Sequence, residues 1–283
     1  IKKALNSVFE QTYKNIEVIV VDDSSTDSTE SIIENINDNR ILYIKNSKRL
    51  GANVSRNIGI RFSKGEFIAF LDSDDKWTKT KLYKQMEYFN VADQDVALIY
   101  TGFICIDNNS NRIREVYPIV NEEKHLYTEL LVRNYIGTLS TIMVRKNCLL
   151  KTQGFDEALE SCQDWDFYIQ LSKHFRFASI NQLLVFYYDS NSDGKISSNP
   201  HAVILGQMKI KDKYKKDIQK LPKSKKSQRK YYVGRMLVSS GAFNVGLKEI
   251  FKAFSIDKNV FHLVFCLLSF MKKFIKYQFK KNI

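Results

Sequence analysis

The sequence is short of the residues that would place it outside the globular class. Its 283 residues include only 3 Pro and 11 Gly, too few for a collagen-like or low-complexity chain. Cysteine is scarce too. Cys105, Cys148, Cys162 and Cys266 contain no CxxC pair, and their spacing matches no zinc ligand set. We therefore expect reduced thiols in a cytosolic protein. The apolar run Val260–Met271 stops at 12 residues, short of the roughly 20 that carry a helix across a bilayer. The chain also lacks an initiating Met; it opens on Ile1, so we expect its natural N-terminal segment to be missing. What is present is core material: 44% hydrophobic residues, with 19 Phe and 15 Tyr. That length suits one substantial domain with an appendage, or two domains.

Charge is unevenly spread. Residues 201–283 hold 20 Lys and Arg against 4 Asp and Glu, whereas the first 200 hold 24 against 27. A near-neutral unit over 1–200 thus precedes a basic one over 201–283. Such asymmetry points to an anionic partner for the tail: membrane lipid, nucleic acid or a polyanionic product.

The first hundred residues alternate strand-like and helix-like segments. Ile16–Val21 (IEVIVV) and Phe67–Leu71 (FIAFL) read as strands buried on both faces. Ile41–Ile44 and Val96–Tyr100 read as two more strands. Helices are expected over Lys2–Phe9, Ser28–Ile36 (capped by Thr26 or Asp27), Asn53–Phe62 and Thr80–Phe89. This β-α-β-α order implies an α/β fold with a mixed, mostly parallel sheet flanked by helices. Between Arg112 and Tyr188 the pattern is less regular: helices over His125–Arg133 and Trp165–Lys173, strands over Thr141–Val144 and Leu184–Tyr188. Ser190–Pro200 is the candidate linker, and the chain beyond reads as helical.

Ligands of such sheets bind past the carboxyl ends of the strands. Two acidic clusters stand there: Asp22-Asp23 after the first run and Asp72-Ser73-Asp74-Asp75 after the third. Carboxylates two residues apart, as in Asp72-Ser73-Asp74, suit Mg²⁺ or Mn²⁺, which take one or two protein oxygens plus substrate phosphates. An isolated DxD reads equally as a turn with capping aspartates. Asp22 and Asp23 can accept hydrogen bonds from a base or ribose, and Arg56 carries a donor fork suited to a base or phosphate. Asp164, in Gln163-Asp164-Trp165-Asp166, has two readings: a helix N-cap or a general base for an acceptor hydroxyl.

Together these segments resemble family 2 glycosyltransferases, which have the GT-A fold. The resemblance covers roughly residues 1–200. It rests on five ordered blocks: ALNSVFEQTYKNIEVIVVDDSSTDST (Ala4–Thr29), RLGANVSRNIGI (Arg49–Ile60), KGEFIAFLDSDDKW (Lys64–Trp77), GFDEAL (Gly154–Leu159) and QDWDFYIQLSK (Gln163–Lys173). It implies an inverting transfer of sugar from a nucleoside-diphosphate-sugar donor to an acceptor hydroxyl, in surface polysaccharide or glycoconjugate synthesis. By the resemblance, Asp22 and Asp23 recognise the nucleotide, and Arg56 with Asn57 supports the donor pocket. Asp74 is the direct metal ligand and Asp72, also within the metal's reach, lies nearer the ribose. Asp164 is the base, and the cofactor is Mn²⁺ or Mg²⁺. The family's first strand, normally just before Lys2, is absent. Gln163 stands where many relatives have Glu. Two other readings are a sugar-nucleotide nucleotidyltransferase, which has no use for the QDWD block, and a catalytically inactive binding module, against which intact Asp74 and Asp164 speak.

Val260–Met271 is followed by Lys272, Lys273, Lys276, Lys280 and Lys281. A short apolar helix with a basic flank suits the interface of an anionic membrane; the alternative is a helix packed on the catalytic domain. The expected partners are the nucleotide-sugar donor, a glycan or lipid-linked acceptor, and a peripheral contact with anionic membrane at the inner face of the cell membrane. No motif accompanies the charge that would read nucleic acid.

Overall fold

The first β-branched run forms β1 (Val18–Asp22), preceded by α1 (Lys2–Phe9). β1 pairs in parallel with β2 (Ile41–Lys45), Val18 opposite Ile41 and Asp22 opposite Lys45. Between them lies α2 (Thr29–Glu34); Asp27 rather than Thr26 supports its start, accepting a hydrogen bond from the Thr29 amide at 3.0 Å. This computed structural model describes residues 1–107, 109, 111–118, 126–188, 199–262, 264–266 and 268.

A six-stranded sheet follows. Its strands are β3 (Phe67–Ala69), β4 (Lys76–Trp77), β5 (Val96–Ile106), β6 (Arg112–Val116), β7 (Ile142–Arg145) and β8 (Arg176–Tyr188). Helices α3 (Ala52–Phe62), α4 (Lys81–Val91), α5 (Tyr127–Val132) and α6 (Gln163–Ser172) alternate with them. The order is β3-β7-β5-β8-β4, with β6 on β5. The mixed sheet with flanking helices is as expected; its being mostly parallel is not. Among the described residues only β1–β2 and β5–β8 are parallel, whereas β3–β7, β4–β8, β5–β6 and β5–β7 run antiparallel. The reason is local. β7 emerges from the irregular stretch after α5 and enters between β3 and β5 against both, and hydrophobic periodicity carries no information on strand direction.

β5 is the centre of the core. All eleven of its residues are buried. A continuous buried run of this kind belongs to a strand covered on both faces. Gly102 lets the neighbours close on it: a Cβ there would lie 2.7 Å from the Val116 carbonyl oxygen and 2.9 Å from the Leu183 side chain.

The runs Ile16–Val21 and Phe67–Leu71 are less covered than their composition suggests. Ile19, Val20, Val21 and all five residues of Phe67–Leu71 are half-buried. Among the described residues β1 is laddered only to β2, and β3 only to β7. Beside them lies a cleft of about 250 Å³ lined by Ile19, Val21, Arg56, Phe70, Leu71 and Asp72.

The chain divides into two compact units. The first takes Ile1–Leu130, Asn134–Leu159 and Gln163 onward through β8; the second takes Leu131–Arg133, Glu160–Cys162 and the C-terminal helices. Most of the expected linker Ser190–Pro200 lies outside the described residues. The second unit contains α7 (Pro200–Lys213), α8 (Lys215–Lys220), α9 (Lys223–Ser239) and α10 (Phe243–Asp257). α7 starts on a side-chain cap, Asn199 Oδ1 accepting from the His201 and Ala202 amides, with Pro200 in the first turn. α9 and α10 meet backbone to backbone: a Cβ on Gly246 would lie 2.5 Å from the Gly234 carbonyl oxygen, and one on Gly234 2.6 Å from that of Gly246. Arg229 is buried and donates to the Leu131 carbonyl. No described helix is long and apolar enough to cross a membrane. No described cysteine is in a disulfide; Cys105, Cys148 and Cys266 are buried and Cys162 is half-buried.

Candidate active site

The two acidic clusters take different structural forms. Asp22 closes β1 and is buried. Its carboxylate accepts from the Ser25 amide at 2.8 Å and the Tyr43 hydroxyl at 2.7 Å. Burial pushes its pKa up, but the bonds from Ser25 and Tyr43 outweigh it and hold the group below the usual carboxylate range. Asp23 accepts from the Asn46 side-chain amide at 3.0 Å and from the Leu50 and Gly51 backbone amides at 2.8 Å each. Burial is again outweighed, by those donors, and its pKa is lowered. Both groups are therefore ionised acceptors tied to the protein, and Asp23 fixes the turn that opens α3. That turn needs its glycine: Gly51 has φ +98°.

Asp72, Asp74 and Asp75 share a tight turn, the Asp75 amide donating to the Asp72 carbonyl at 3.0 Å. Asp74 is exposed, Asp72 half-buried and Asp75 buried. Asp75 works inward. Its Oδ2 accepts from Ser140 Oγ at 2.6 Å and its Oδ1 from the Tyr188 amide at 3.3 Å. Burial first, then the charges of Asp72 and Asp74, push its pKa up to about 7 against the bonds from Ser140 and Tyr188. Ser140 Oγ also accepts from the Asp72 amide at 3.1 Å, and the Ser140 carbonyl accepts from Trp77 Nε1 at 2.8 Å. The turn is thus anchored on Ser140, and Asp74 is left facing outward.

Arg56, on α3, reaches that turn. Its guanidinium pairs with Asp72 Oδ1 at 3.0 Å and lies 5.5 Å from the centre of the Phe155 ring. Asn57 turns elsewhere. Its amide nitrogen donates to the Phe155 carbonyl and to Glu157 Oε1, each at 2.9 Å, while its oxygen accepts from the Phe155 amide at 2.9 Å. Asn57 therefore clamps the 154–157 loop. Asn53, one turn earlier, donates to the Asp156 and Leu159 carbonyls at 2.8 Å each.

Asp164 lies inside the first turn of α6, not before it. Its Oδ1 accepts from the Trp165 amide at 2.7 Å and its Oδ2 from Asn134 Nδ2 at 2.9 Å. A bond to the next residue is not the cap pattern, in which the side chain reaches two or three residues ahead. Burial pushes the Asp164 pKa up to about 6. The Trp165 amide, Arg56 and Asn134 oppose the rise, and the Asp72 charge adds to it. A carboxyl with that value is poised between acid and base near neutral pH.

The blocks that carry these residues converge on one aromatic cluster. The Phe155 and Phe167 rings stack at 4.4 Å, and Phe70 meets them edge-on at 5.4 and 6.0 Å. Phe70 directly follows β3, Phe155 comes from the GFDEAL block and Phe167 from α6. Packing of this type fixes element positions, and here it holds α3, the acidic turn and α6 about a common centre.

Asp72 and Asp74 fit a hard divalent cation. They offer carboxylate oxygens from one turn, and Asp74 is exposed. No cluster of three or more His, Cys, Asp or Glu suited to a metal occurs among the described residues. An all-protein cage is thus not what they form. The pair suits a cation that draws its other ligands from phosphate and water, as Mg²⁺ does.

Asn134, Ser140, Asn53 and Asp75 are the residues that sequence reasoning missed. Three carry a readable signal: Asp75 stands within the quoted KGEFIAFLDSDDKW block, Asn53 within RLGANVSRNIGI, and Asn134 three residues before Gly137 is a turn pattern.

Comparison with known proteins bears on the fold and the family. Solved structures share the fold. One is Staphylococcus aureus TarS 1-349 in complex with UDP (TM-score 0.56, 20% identity, 87% of this chain and 78% of that one). Another is the mannosyltransferase PcManGT of Pyrobaculum calidifontis in complex with GDP-Man and Mn²⁺ (TM-score 0.57, 15% identity, 100% and 78%). An uncharacterised glycosyltransferase of Methanocaldococcus jannaschii is 31% identical over 204 residues, 70% of this chain and 68% of that protein. The Escherichia coli UDP-Glc:alpha-D-GlcNAc-diphosphoundecaprenol beta-1,3-glucosyltransferase WfgD is 32% identical over 199 residues, 70% and 75%. The model described as Glycosyl transferase family 2 matches residues 1–158, more than half the chain and the stretch that holds both acidic clusters and Arg56, and so the chain belongs to glycosyl transferase family 2.

Proposed function

We propose that this glycosyltransferase moves a sugar from a nucleoside-diphosphate donor to an acceptor hydroxyl with inversion, Asp164 acting as base. The observation that carries the reading is the gathering of Arg56, Asp72 and Asp164, from three separate blocks, about one aromatic cluster. Asp164 takes the proton of the acceptor hydroxyl as that oxygen bonds to the anomeric carbon. The bond from that carbon to the diphosphate breaks, and its electron pair leaves with the phosphate oxygen. Asp22 and Asp23 stand on the nucleotide side, where their ionised oxygens accept from a base or ribose. Arg56 supplies fixed positive charge beside the acidic turn, and Asn57 and Asn53 hold the loop that carries Phe155. Asp72 and Asp74 would hold Mn²⁺ or Mg²⁺, which supplies charge neutralisation for the departing diphosphate.

The relatives supply a substrate class. WfgD is named for transfer of glucose from UDP-Glc to a diphosphoundecaprenol-linked sugar, and a Bacillus subtilis relative, TuaG, for teichuronic acid biosynthesis. We take a UDP-sugar as donor and a lipid-linked glycan, in surface polysaccharide assembly, as acceptor. A peripheral contact with the inner face of the membrane follows from that acceptor. Exposed apolar side chains near the end of the chain support it: Val260 (64%), Phe261 (77%), Val264 (43%) and Leu268 (54%). His262 and Cys266, on the same helical stretch, are buried. Phe265 is half-buried, and Leu263, Leu267, residues 269–271 and the lysines after them lie outside the described residues.

A screen of UDP-, GDP- and dTDP-sugars with Mn²⁺, reading nucleoside diphosphate release, tests the activity. Turnover of a UDP-sugar is expected. Release of pyrophosphate from a nucleoside triphosphate plus a sugar phosphate, with no turnover of any sugar nucleotide, would establish the nucleotidyltransferase alternative instead.

A further inference from the structure

Asp164 is held from outside its own helix by a residue that no motif assigns. Asn134 lies in the irregular stretch between α5 and β7. Its Oδ1 accepts from the Ile136 and Gly137 amides, each at 3.0 Å. Two backbone donors on the oxygen settle which way the amide faces, since a flip would set N–H against N–H. The Nδ2 group must then point at Asp164 Oδ2, 2.9 Å away, with the Gly137 carbonyl at 3.3 Å. The turn is possible because Gly137 has φ +85°.

α5 and this stretch are each tied to α6 once more. Trp165 Nε1 donates to the Leu130 carbonyl at 2.6 Å, and the Tyr168 hydroxyl to the Gly137 carbonyl at 3.4 Å. Six residues past Asn134, Ser140 anchors the acidic turn through Asp75 and the Asp72 amide. One segment thus supports both the carboxylate on α6 and the loop that carries Asp72.

We infer that Asn134 is a positioning residue for Asp164: it fixes one carboxylate oxygen by an amide hydrogen bond, so that the remaining lone pairs face the acceptor hydroxyl. The inference rests on the reading of Asp164 as base. With the Trp165 amide on Oδ1 and Asn134 on Oδ2, the carboxylate cannot rotate without losing a bond. A carboxylate has about four acceptor sites, so two donors leave room for the proton in flight. Asn134 carries no charge and favours the ionised form without competing for that proton. The charged groups acting on Asp164 are Arg56 from α3 and Asp72 from the acidic turn.

The test separates this role from the turn itself. Asn134→Asp keeps the size and the turn-forming oxygen but removes the amide donor and sets a carboxylate against Asp164. Asn134→Ser keeps a turn acceptor, is too short to reach Asp164, and adds no charge. Mn²⁺-dependent hydrolysis of UDP-glucose gives kcat, and calorimetry with UDP gives nucleotide affinity. The Asp164 carboxyl carbon, identified by its loss in Asp164→Asn, is followed by ¹³C NMR against pH, a readout that does not depend on the donor chosen. We expect kcat to fall about tenfold or more in both variants, with UDP affinity within about threefold, because the lost contact acts on the transferred proton and not on the donor. The Asp164 titration moves to higher pH in both, further in Asn134→Asp. A parental kcat in both variants, or an unmoved titration, overturns the inference. Asp164→Asn assayed alongside distinguishes the two failures: if it is inactive while the Asn134 variants are parental, only the positioning role falls. If Asp164→Asn itself retains parental kcat, the base assignment falls and the inference with it.

Discussion

Replacing Asp164 by Asn should make the protein more stable and less active at once. The folded carboxyl sits at about 6 against an ordinary 3.8, with burial the main cause. Because the folded pKa is raised, the native state binds the proton more tightly than the unfolded chain does. Stability therefore falls as pH rises from about 4 to about 6 and levels off above. At about 1.4 kcal/mol per pK unit, holding the ionised carboxylate in place costs about 3 kcal/mol at neutral pH. Asn carries no such charge. It can still accept from Asn134, but one of its two ends is now a donor facing the Trp165 amide or Asn134, which returns about 1 kcal/mol of the gain. We expect a net stabilisation of about 1–3 kcal/mol at pH 7.5, turning into a destabilisation of about 1 kcal/mol below about pH 4. Thermal unfolding of parent and variant at a series of pH values measures it. Transfer should fall by roughly 10²–10⁴-fold, the usual share of a general base, with donor affinity by calorimetry unchanged. Asp166→Asn is the control for transfer alone, since Asp166 is buried and accepts from Gln170 Nε2 at 2.7 Å. A variant that is destabilised at every pH, or transfer within a few-fold of the parent, would refute the argument, since either result means Asp164 is not a strained carboxylate kept for proton transfer.

Other expectations concern the remaining parts of the molecule. EDTA should abolish turnover and Mn²⁺ or Mg²⁺ restore it, with Asp74→Ala weakening both metal and donor binding; full activity of Asp74→Ala in chelator contradicts the ligand assignment. The full chain should sediment with anionic vesicles and be released by salt, as screening weakens the lysine attraction, and truncation after Pro200 should lose the binding. If both forms ignore anionic lipid, the exposed apolar residues at 260–268 serve another contact. Gly246→Ala should destabilise the second unit by about 2 kcal/mol or more in a chemical melt, although Ala favours a helix by about 1 kcal/mol, because the new methyl meets the Gly234 carbonyl at 2.5 Å. A neutral or stabilising result would mean that α9 and α10 can separate at little cost.

The acidic clusters, Arg56 and Asp164 were legible because each falls at a recognisable boundary, a strand end or a helix start, inside an ordered block. Their partners were not. Ser140 and Asn134 lie where neither period 2 nor period 3.6 holds, and their roles exist only through contacts 65 and 30 residues away. Asn57 shows the converse limit: its place in a block was readable, but its bonds to Phe155 and Glu157 were not. Strand existence was also easier to read than strand partners. IEVIVV and FIAFL are strands at about the expected positions, but composition could not say which strands would ladder to them. β4 and β6 escaped notice for a simpler reason: a two-residue strand and an exposed polar one leave no hydrophobic pattern.

The placement of β5 bears on how the chain can be made. Its parallel neighbour is β8, with Val96 opposite Arg176 and Ile106 opposite Tyr188. A ribosome adding roughly 5–20 residues per second takes about 4–16 s to cross the 80 or so residues between them. During that time eleven consecutive apolar-rich residues have β6 and then β7 beside them, but the edge reserved for β8 stays open. An open edge of that kind is a template for other chains. Yield in a cell should therefore respond to translation speed and to chaperones that cover extended segments, and a nascent chain stopped before Tyr188 should be lost to aggregation where one stopped after it folds.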